Sequence, residues 1–132
     1  MNAAKQHTSL KILIVDDSEL NRQTMASILE SNGYSVVGVA ASAAEAMVQA
    51  NLTNANLIFI DIVMPEVSGI DLIKKLCDRY TQDRFIVGMS SLNMEEIVIE
   101  SIANGAIEFL KKPFSSSDLI KITQKIESMI NK

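Results

Sequence analysis

Four polar groups interrupt the apolar pattern of this 132-residue chain: Asp16-Asp17, Asp61, Ser90-Ser91 and Lys111-Lys112-Pro113. Each directly follows a short, mostly apolar run. A single carboxylate in that position is ordinary, because it can cap a helix or be solvated in a loop. Three gathered carboxylates are different, since unit charges about 4 Å apart repel by roughly 4 kcal/mol at an effective dielectric of about 20. A hard divalent cation with oxygen ligands offsets that repulsion. Magnesium (Mg2+), which takes one or two carboxylates, keeps waters and bridges to a phosphate, suits the set best. Lys112 can neutralise part of the charge alone, or clamp a phosphoryl oxygen as a point charge.

The order of the elements is what would bring these groups together. Lys11 to Val15, Ser35 to Val39, Leu57 to Ile60, Phe85 to Met89 and Ala106 to Leu110 read as strands. The first is a continuous aliphatic run, as expected of a strand buried on both faces of a parallel sheet. Helical spacing appears in Leu20, Met25, Ile28 and Leu29, then in Ala43, Ala46, Met47 and Ala50, and again in Ile70, Ile73, Leu76, Cys77 and Tyr80. A fourth stripe, Met94, Ile97, Val98 and Ile102, stops at Asn104-Gly105. A fifth, Leu119, Ile122, Ile126, Met129 and Ile130, follows an N-cap in Ser115-Ser116-Ser117-Asp118. The pattern is βα repeated five times. Right-handed crossovers then predict an α/β, flavodoxin-like doubly wound five-stranded parallel sheet, order 2-1-3-4-5, with five helices. Sites in such sheets form outside the carboxyl ends of the strands, where the four polar groups fall.

Composition bounds the function. With 12 basic and 16 acidic residues the net charge is −4, which argues against a surface that grips nucleic acid through its phosphates. The length suits one compact domain and makes a two-domain enzyme an unlikely fit. The single cysteine, Cys77, cannot form an internal bridge and sits on an apolar helical stripe as core filler; a reducing, cytoplasmic setting is expected. No apolar run is long enough to span a bilayer, and the start lacks the apolar segment of a signal peptide. Residues 1–9 are expected to be a flexible tail, with His7 solvated in it, and 10–132 the folded domain, without an output domain.

The motifs resemble the receiver domain of two-component response regulators, the family that includes the single-domain chemotaxis regulator. They are Ile-Leu-Ile-Val-Asp-Asp-Ser at 12–18, Ile-Phe-Ile-Asp-Ile-Val-Met-Pro at 58–65 with Ser68-Gly69, Met-Ser-Ser at 89–91, and Gly105-Ala106 leading to Phe109-Leu110-Lys111-Lys112-Pro113-Phe114. The resemblance implies that Asp61 accepts a phosphoryl group from a phosphohistidine. It implies that Asp16, Asp17, Asp61 and the backbone carbonyl of Val63 hold Mg2+, with Asp16 acting largely through water. Ser90 would bond a phosphoryl oxygen and move toward it on activation. Lys112 would pair with the phosphoryl group, across a cis bond to Pro113, with Lys111 a solvated neighbour. Phe109 falls where the family carries its switch aromatic; a strand residue with no signalling role is the plain alternative. Val63 and Leu92 flank the site, and apolar groups there cannot orient an attacking water.

The partners implied are a sensor histidine kinase or histidine phosphotransfer protein and a downstream protein effector, reached through the fourth helix, fifth strand and fifth helix. Ile97-Val98-Ile99 cannot all face one core stripe, and Val98 is the expected outward residue. Glu95, Glu96 and Glu100 on the fourth helix, opposite in sign to Lys121 and Lys125 on the fifth, read as solvated charge. The chain is expected to be a monomer or weak dimer. Its chemistry would be its own phosphorylation and dephosphorylation rather than enzymatic turnover. Two other readings compete: a Mg2+-dependent phosphohydrolase with an aspartyl nucleophile, and a non-phosphorylated receiver-like binding module. The first lacks the second aspartate two residues after the nucleophile, where Val63 stands, and a cap domain.

Overall fold

In a computed structural model of the chain, the strands are β1 (His7–Val15), β2 (Tyr34–Ala40), β3 (Leu57–Asp61), β4 (Phe85–Ser90) and β5 (Glu108–Lys111). The helices are α1 (Glu19–Ser31), α2 (Ala43–Thr53), α3 (Gly69–Arg79), α4 (Glu95–Ala103) and α5 (Ser116–Ile130). The structure describes residues 7–64, 68–79, 84–92 and 95–130; Pro65, Tyr80 and Met94, named above, lie outside them. The strands form one parallel sheet in the order β2-β1-β3-β4-β5, so the fold is the doubly wound α/β sheet expected.

Strand periodicity sorts the core into two layers. Leu13, Val15, Ile58, Ile60 and Ile86 face α2 and α3, while Ile12, Ile14, Leu57, Phe59, Val87 and Met89 face α1 and α5. Both faces of β1 and β3 are covered, and this is why Ile12 to Val15 and Leu57 to Ile60 are uninterrupted apolar runs. Register then places the strand ends. Val15 lies opposite Ile60 and Ile60 opposite Gly88, so Asp16 and Asp61 follow side by side. The alternation that points Ile12 and Ile14 toward α1 and α5 carries on to Asp16, and that of Leu57 and Phe59 to Asp61.

Three expectations are corrected. First, β1 starts at His7 rather than Lys11. His7 is not a solvated tail residue: its ring stacks on Tyr34 with centroids 4.1 Å apart, Nδ1 lies 2.7 Å from Glu127 Oε2, and its N–H donates to the Gly33 carbonyl at 2.9 Å. Second, Leu20 is exposed rather than part of the α1 core stripe, which is Met25 and Leu29. Third, α4 is rotated from its expected register. Ser101 is buried and Ile102 exposed, and the outward residue of the Ile97–Ile99 triplet is Ile99, not the half-buried Val98. Ser101 tolerates burial because its Oγ donates to the Ile97 carbonyl at 2.7 Å.

The other signals sit where their chemistry puts them. Gly105 adopts a φ of 127°, a conformation that favours glycine, and ends α4. At the start of α5, Ser115 Oγ accepts from the Asp118 N–H at 3.0 Å while Asp118 Oδ2 accepts from the Ser115 N–H at 3.1 Å, a reciprocal cap. Cys77 is half-buried against the core. Among the described residues, no helix is long and apolar enough to cross a membrane.

Candidate functional site

The carboxyl edge of the sheet collects the polar strand ends. Oxygen atoms of Asp16, Asp17 and Asp61 lie within 4.8 Å of one another; Asp16 and Asp61 are buried and Asp17 is exposed. Lys112 Nζ donates to Asp16 Oδ2 at 2.7 Å and to Asp61 Oδ2 at 3.4 Å. The β5 end is held in register by the Lys112 N–H, which donates to the Ser90 carbonyl at 2.9 Å, and the Lys112-Pro113 bond is cis.

Each buried carboxylate has backbone support. Asp16 Oδ1 accepts from the Ser18 N–H at 2.9 Å, and Asp61 Oδ1 accepts from the Val63 N–H at 3.0 Å. Burial pushes the Asp61 carboxyl above its usual range; the Lys112 ammonium and the Val63 N–H pull it back, and the Asp16 charge pushes it further up. Ser90 is buried at the end of β4, where its Oγ accepts from the Leu92 N–H at 3.0 Å. Val63 and Leu92, each two residues past a strand-end polar group, Asp61 and Ser90, are both exposed. Phe109 is half-buried, opposite Gly88 in the β4–β5 ladder. A Cβ on Gly88 would lie 3.1 Å from the Phe109 ring, so the missing side chain makes room for it.

Two neighbours, Arg22 and Asn21, escaped sequence reasoning, and Gly69 was read only as part of a motif. Arg22 Nη1 donates to the Asp16 carbonyl at 2.7 Å, tying the first turn of α1 to the acid pair. Asn21 Nδ2 lies 3.5 Å from Asp16 Oδ2. Gly69 passes so close that a Cβ there would sit 2.3 Å from the Asp61 carbonyl oxygen, and its N–H donates to the Ile62 carbonyl at 2.9 Å. The readable signals were Ser18, which caps α1 by accepting from the Asn21 N–H at 3.2 Å, and the Ser68-Gly69 pair.

Chemically, three carboxylates face one ammonium. Their all-oxygen donor set fits a hard divalent cation.

Residues 12–124 match the response regulator receiver domain family. The chain is 34% identical over 116 residues to the chemotaxis protein CheY of Thermotoga maritima, a match covering 88% of this chain and 96% of that protein. It is 34% identical over 115 residues to CheY of Bacillus subtilis, covering 87% and 95%. Among solved structures it is similar to the response regulator domain of Thermotoga maritima CheB, with a TM-score of 0.80, 30% identity and coverage of 93% and 97%. A CheY-like receiver domain protein from Methanospirillum hungatei superposes with a TM-score of 0.85 at 28% identity, covering 92% and 97%. In PdtaR of Mycobacterium tuberculosis, 34% identical, the match spans 53% of a longer protein. The chain therefore belongs to the response regulator receiver family, and it is a receiver domain of the CheY-like type.

Proposed function

We propose that this receiver is a phosphorylation-dependent switch whose phosphoacceptor is Asp61. The observation that carries the reading is the shared ammonium: Lys112 Nζ reaches Asp16 and Asp61 together, beside a third carboxylate. An Asp61 Oδ attacks the phosphorus of a phosphohistidine, the P–N bond breaks, and the electron pair leaves with the imidazole. Lys112 pairs with a phosphoryl oxygen, and the Ser90 hydroxyl donates to another. Asp16, Asp17, Asp61 and the Val63 carbonyl would hold Mg2+. When bound, the ion supplies positive charge to the phosphoryl oxygens and offsets carboxylate repulsion.

In this reading the donor is a sensor histidine kinase or histidine phosphotransfer protein. Phosphorylation is read out at α4, β5 and α5 by a protein effector, with Ser90 and Phe109 as the moving parts. The packing at Gly88 supports the role of Phe109: the ring rests on a residue with no side chain, where any Cβ would meet it at 3.1 Å.

Incubation with a small phosphodonor and Mg2+ tests the proposal. A lasting stoichiometric adduct on Asp61, acid-stable and base-labile, is expected. Multiple turnover would favour a phosphohydrolase, and no adduct a binding module. Val63 and Leu92 carry no group to align water, so the adduct should be long-lived. Val63→Asn with Leu92→Glu should speed its loss roughly tenfold; an unchanged rate would count against the idea.

A further inference from the structure

Asp16 is wholly buried, and the two oxygens of its carboxylate are satisfied in different ways. Oδ1 accepts from the Ser18 N–H at 2.9 Å, a bond fixed by the backbone before α1. Oδ2 depends on side chains. Among the described residues its donors are Lys112 Nζ at 2.7 Å and Asn21 Nδ2 at 3.5 Å. The first is a charge-assisted bond of ordinary length. The second lies at the outer limit of a hydrogen bond and adds little while the first stands.

Lys112 does not serve Asp16 alone. The same Nζ lies 3.4 Å from Asp61 Oδ2, and with Asp61 as phosphoacceptor it pairs with a phosphoryl oxygen carried there. The phosphoryl group adds negative charge on that side. An ammonium drawn to it shifts toward Asp61, and its bond to Asp16 lengthens. An oxygen buried as deeply as Asp16 Oδ2 has no bulk water to turn to, and a buried acceptor that loses its donor bears the full cost of its desolvation.

Asn21 is placed to fill the gap. It sits in the first turn of α1, which is tied to the Asp16 loop by the backbone: the Asn21 N–H donates to Ser18 Oγ at 3.2 Å, and Arg22 Nη1 donates to the Asp16 carbonyl at 2.7 Å. The Asn21 backbone therefore keeps its distance from Asp16, and closing the 3.5 Å gap needs only a turn of the side chain. There is free volume for that turn. Asn21 and Lys112 both line a cavity of about 360 Å³, together with Ser91, Pro113 and Phe114. A neutral amide also suits the task, because it donates to a carboxylate without competing as a cation for the phosphoryl group.

We propose that Asn21 is a positioning residue of the switch: it takes over Asp16 Oδ2 when phosphorylation of Asp61 draws Lys112 away. The inference rests on Asp61 being the phosphoacceptor. Its consequence is that Asn21 supports the phosphorylated state and leaves the resting state, in which Lys112 already holds Asp16, almost unchanged.

Nuclear magnetic resonance of the full chain with saturating Mg2+, titrated with beryllofluoride as a mimic of the phosphoryl group, tests this. In wild type the Asn21 side-chain NH2 resonances, assigned by their absence from Asn21→Ala, should move downfield and exchange more slowly with solvent on saturation. In Asn21→Ala the beryllofluoride concentration at half saturation should rise about tenfold. The urea midpoint of that variant, and its affinity for Mg2+ alone read from melting temperature, should stay at the wild-type values. An unmoved Asn21 amide, or half saturation of Asn21→Ala at the wild-type concentration, overturns the hand-over. So does an equal loss of affinity for Mg2+ alone, which would make Asn21 a support of the cation site. A wild-type chain that takes up no beryllofluoride overturns the reading of Asp61 itself, and the hand-over with it.

Discussion

Lys112 is the ammonium that holds two buried aspartates in one small volume, and its removal would leave both without their cation. Breaking a buried pair from one side is costly because the remaining charge keeps its desolvation penalty. Lys112→Met should lower stability by on the order of 3 kcal/mol, measured by urea unfolding without divalent cations. Asp61 behaves in the opposite sense. Burial, with the Asp16 charge adding to it, raises its folded-state pKa above the unfolded value despite Lys112 and the Val63 N–H. The ionised form is then disfavoured by folding, and the cost is present at neutral pH and relieved as pH falls through the folded pKa. Asp61→Asn should therefore raise the urea midpoint at pH 7 in the absence of divalent cations; a lowered midpoint would contradict this balance. These residues were legible in the sequence because each ends a buried strand, where period-two alternation and register determine direction. Arg22 and Asn21 were not, because their reach to Asp16 depends on how the loop before α1 folds back.

At the scale of elements, apolar pattern located the strands and the helices but did not determine every helix face. Two adjacent stripes of α4 are apolar, and the buried one includes Ser101, whose hydroxyl is satisfied within its own helix. Thr123 does the same on α5, donating to the Leu119 carbonyl at 2.7 Å. Such hydroxyls bury at little cost, so hydrophobicity alone misreads them. The start of β1 was missed for another reason: its partners, Tyr34 and Glu127, are remote in sequence. The junction of α4 and β5 depends on Gly105, where a Cβ would meet Cys77 Sγ at 2.2 Å. Gly105→Ala should cost about 2 kcal/mol, and adding Cys77→Ala should recover the clash but not the backbone strain, a non-additivity that a double-mutant cycle measures. The β2 start gives a pH prediction. Burial, then the charge and hydrogen bond of Glu127, push the Tyr34 phenol up to about 12 from 10.0. The unfolded chain loses this proton first, so stability falls as pH rises from 10.0 through about 12. Tyr34→Phe should flatten that decline in thermal scans.

Across the whole molecule, the sheet separates two surfaces. The acid cluster occupies its carboxyl edge on the α1 and α5 side, while α2 and α3 pack on the other layer. If the acids hold Mg2+, the ion binds the folded state alone and adds about 2.7 kcal/mol of stability at a hundredfold excess over its dissociation constant. Melting temperature should climb with Mg2+ in wild type and lose most of that dependence in Asp17→Asn, whose exposed carboxylate contributes little to folding without the ion.

The ring stack of His7 on Tyr34 also makes part of this protein visible to light. The chain has no tryptophan and two tyrosines, so its near-ultraviolet emission is a short list of sources. One of them is stacked on an imidazole and donates to a carboxylate, both of which quench a phenol. Release of the first residues of β1 should therefore brighten the protein. That gives an unlabelled optical signal for the docking of the N-terminal strand, remote from the acid cluster at the carboxyl edge of the sheet.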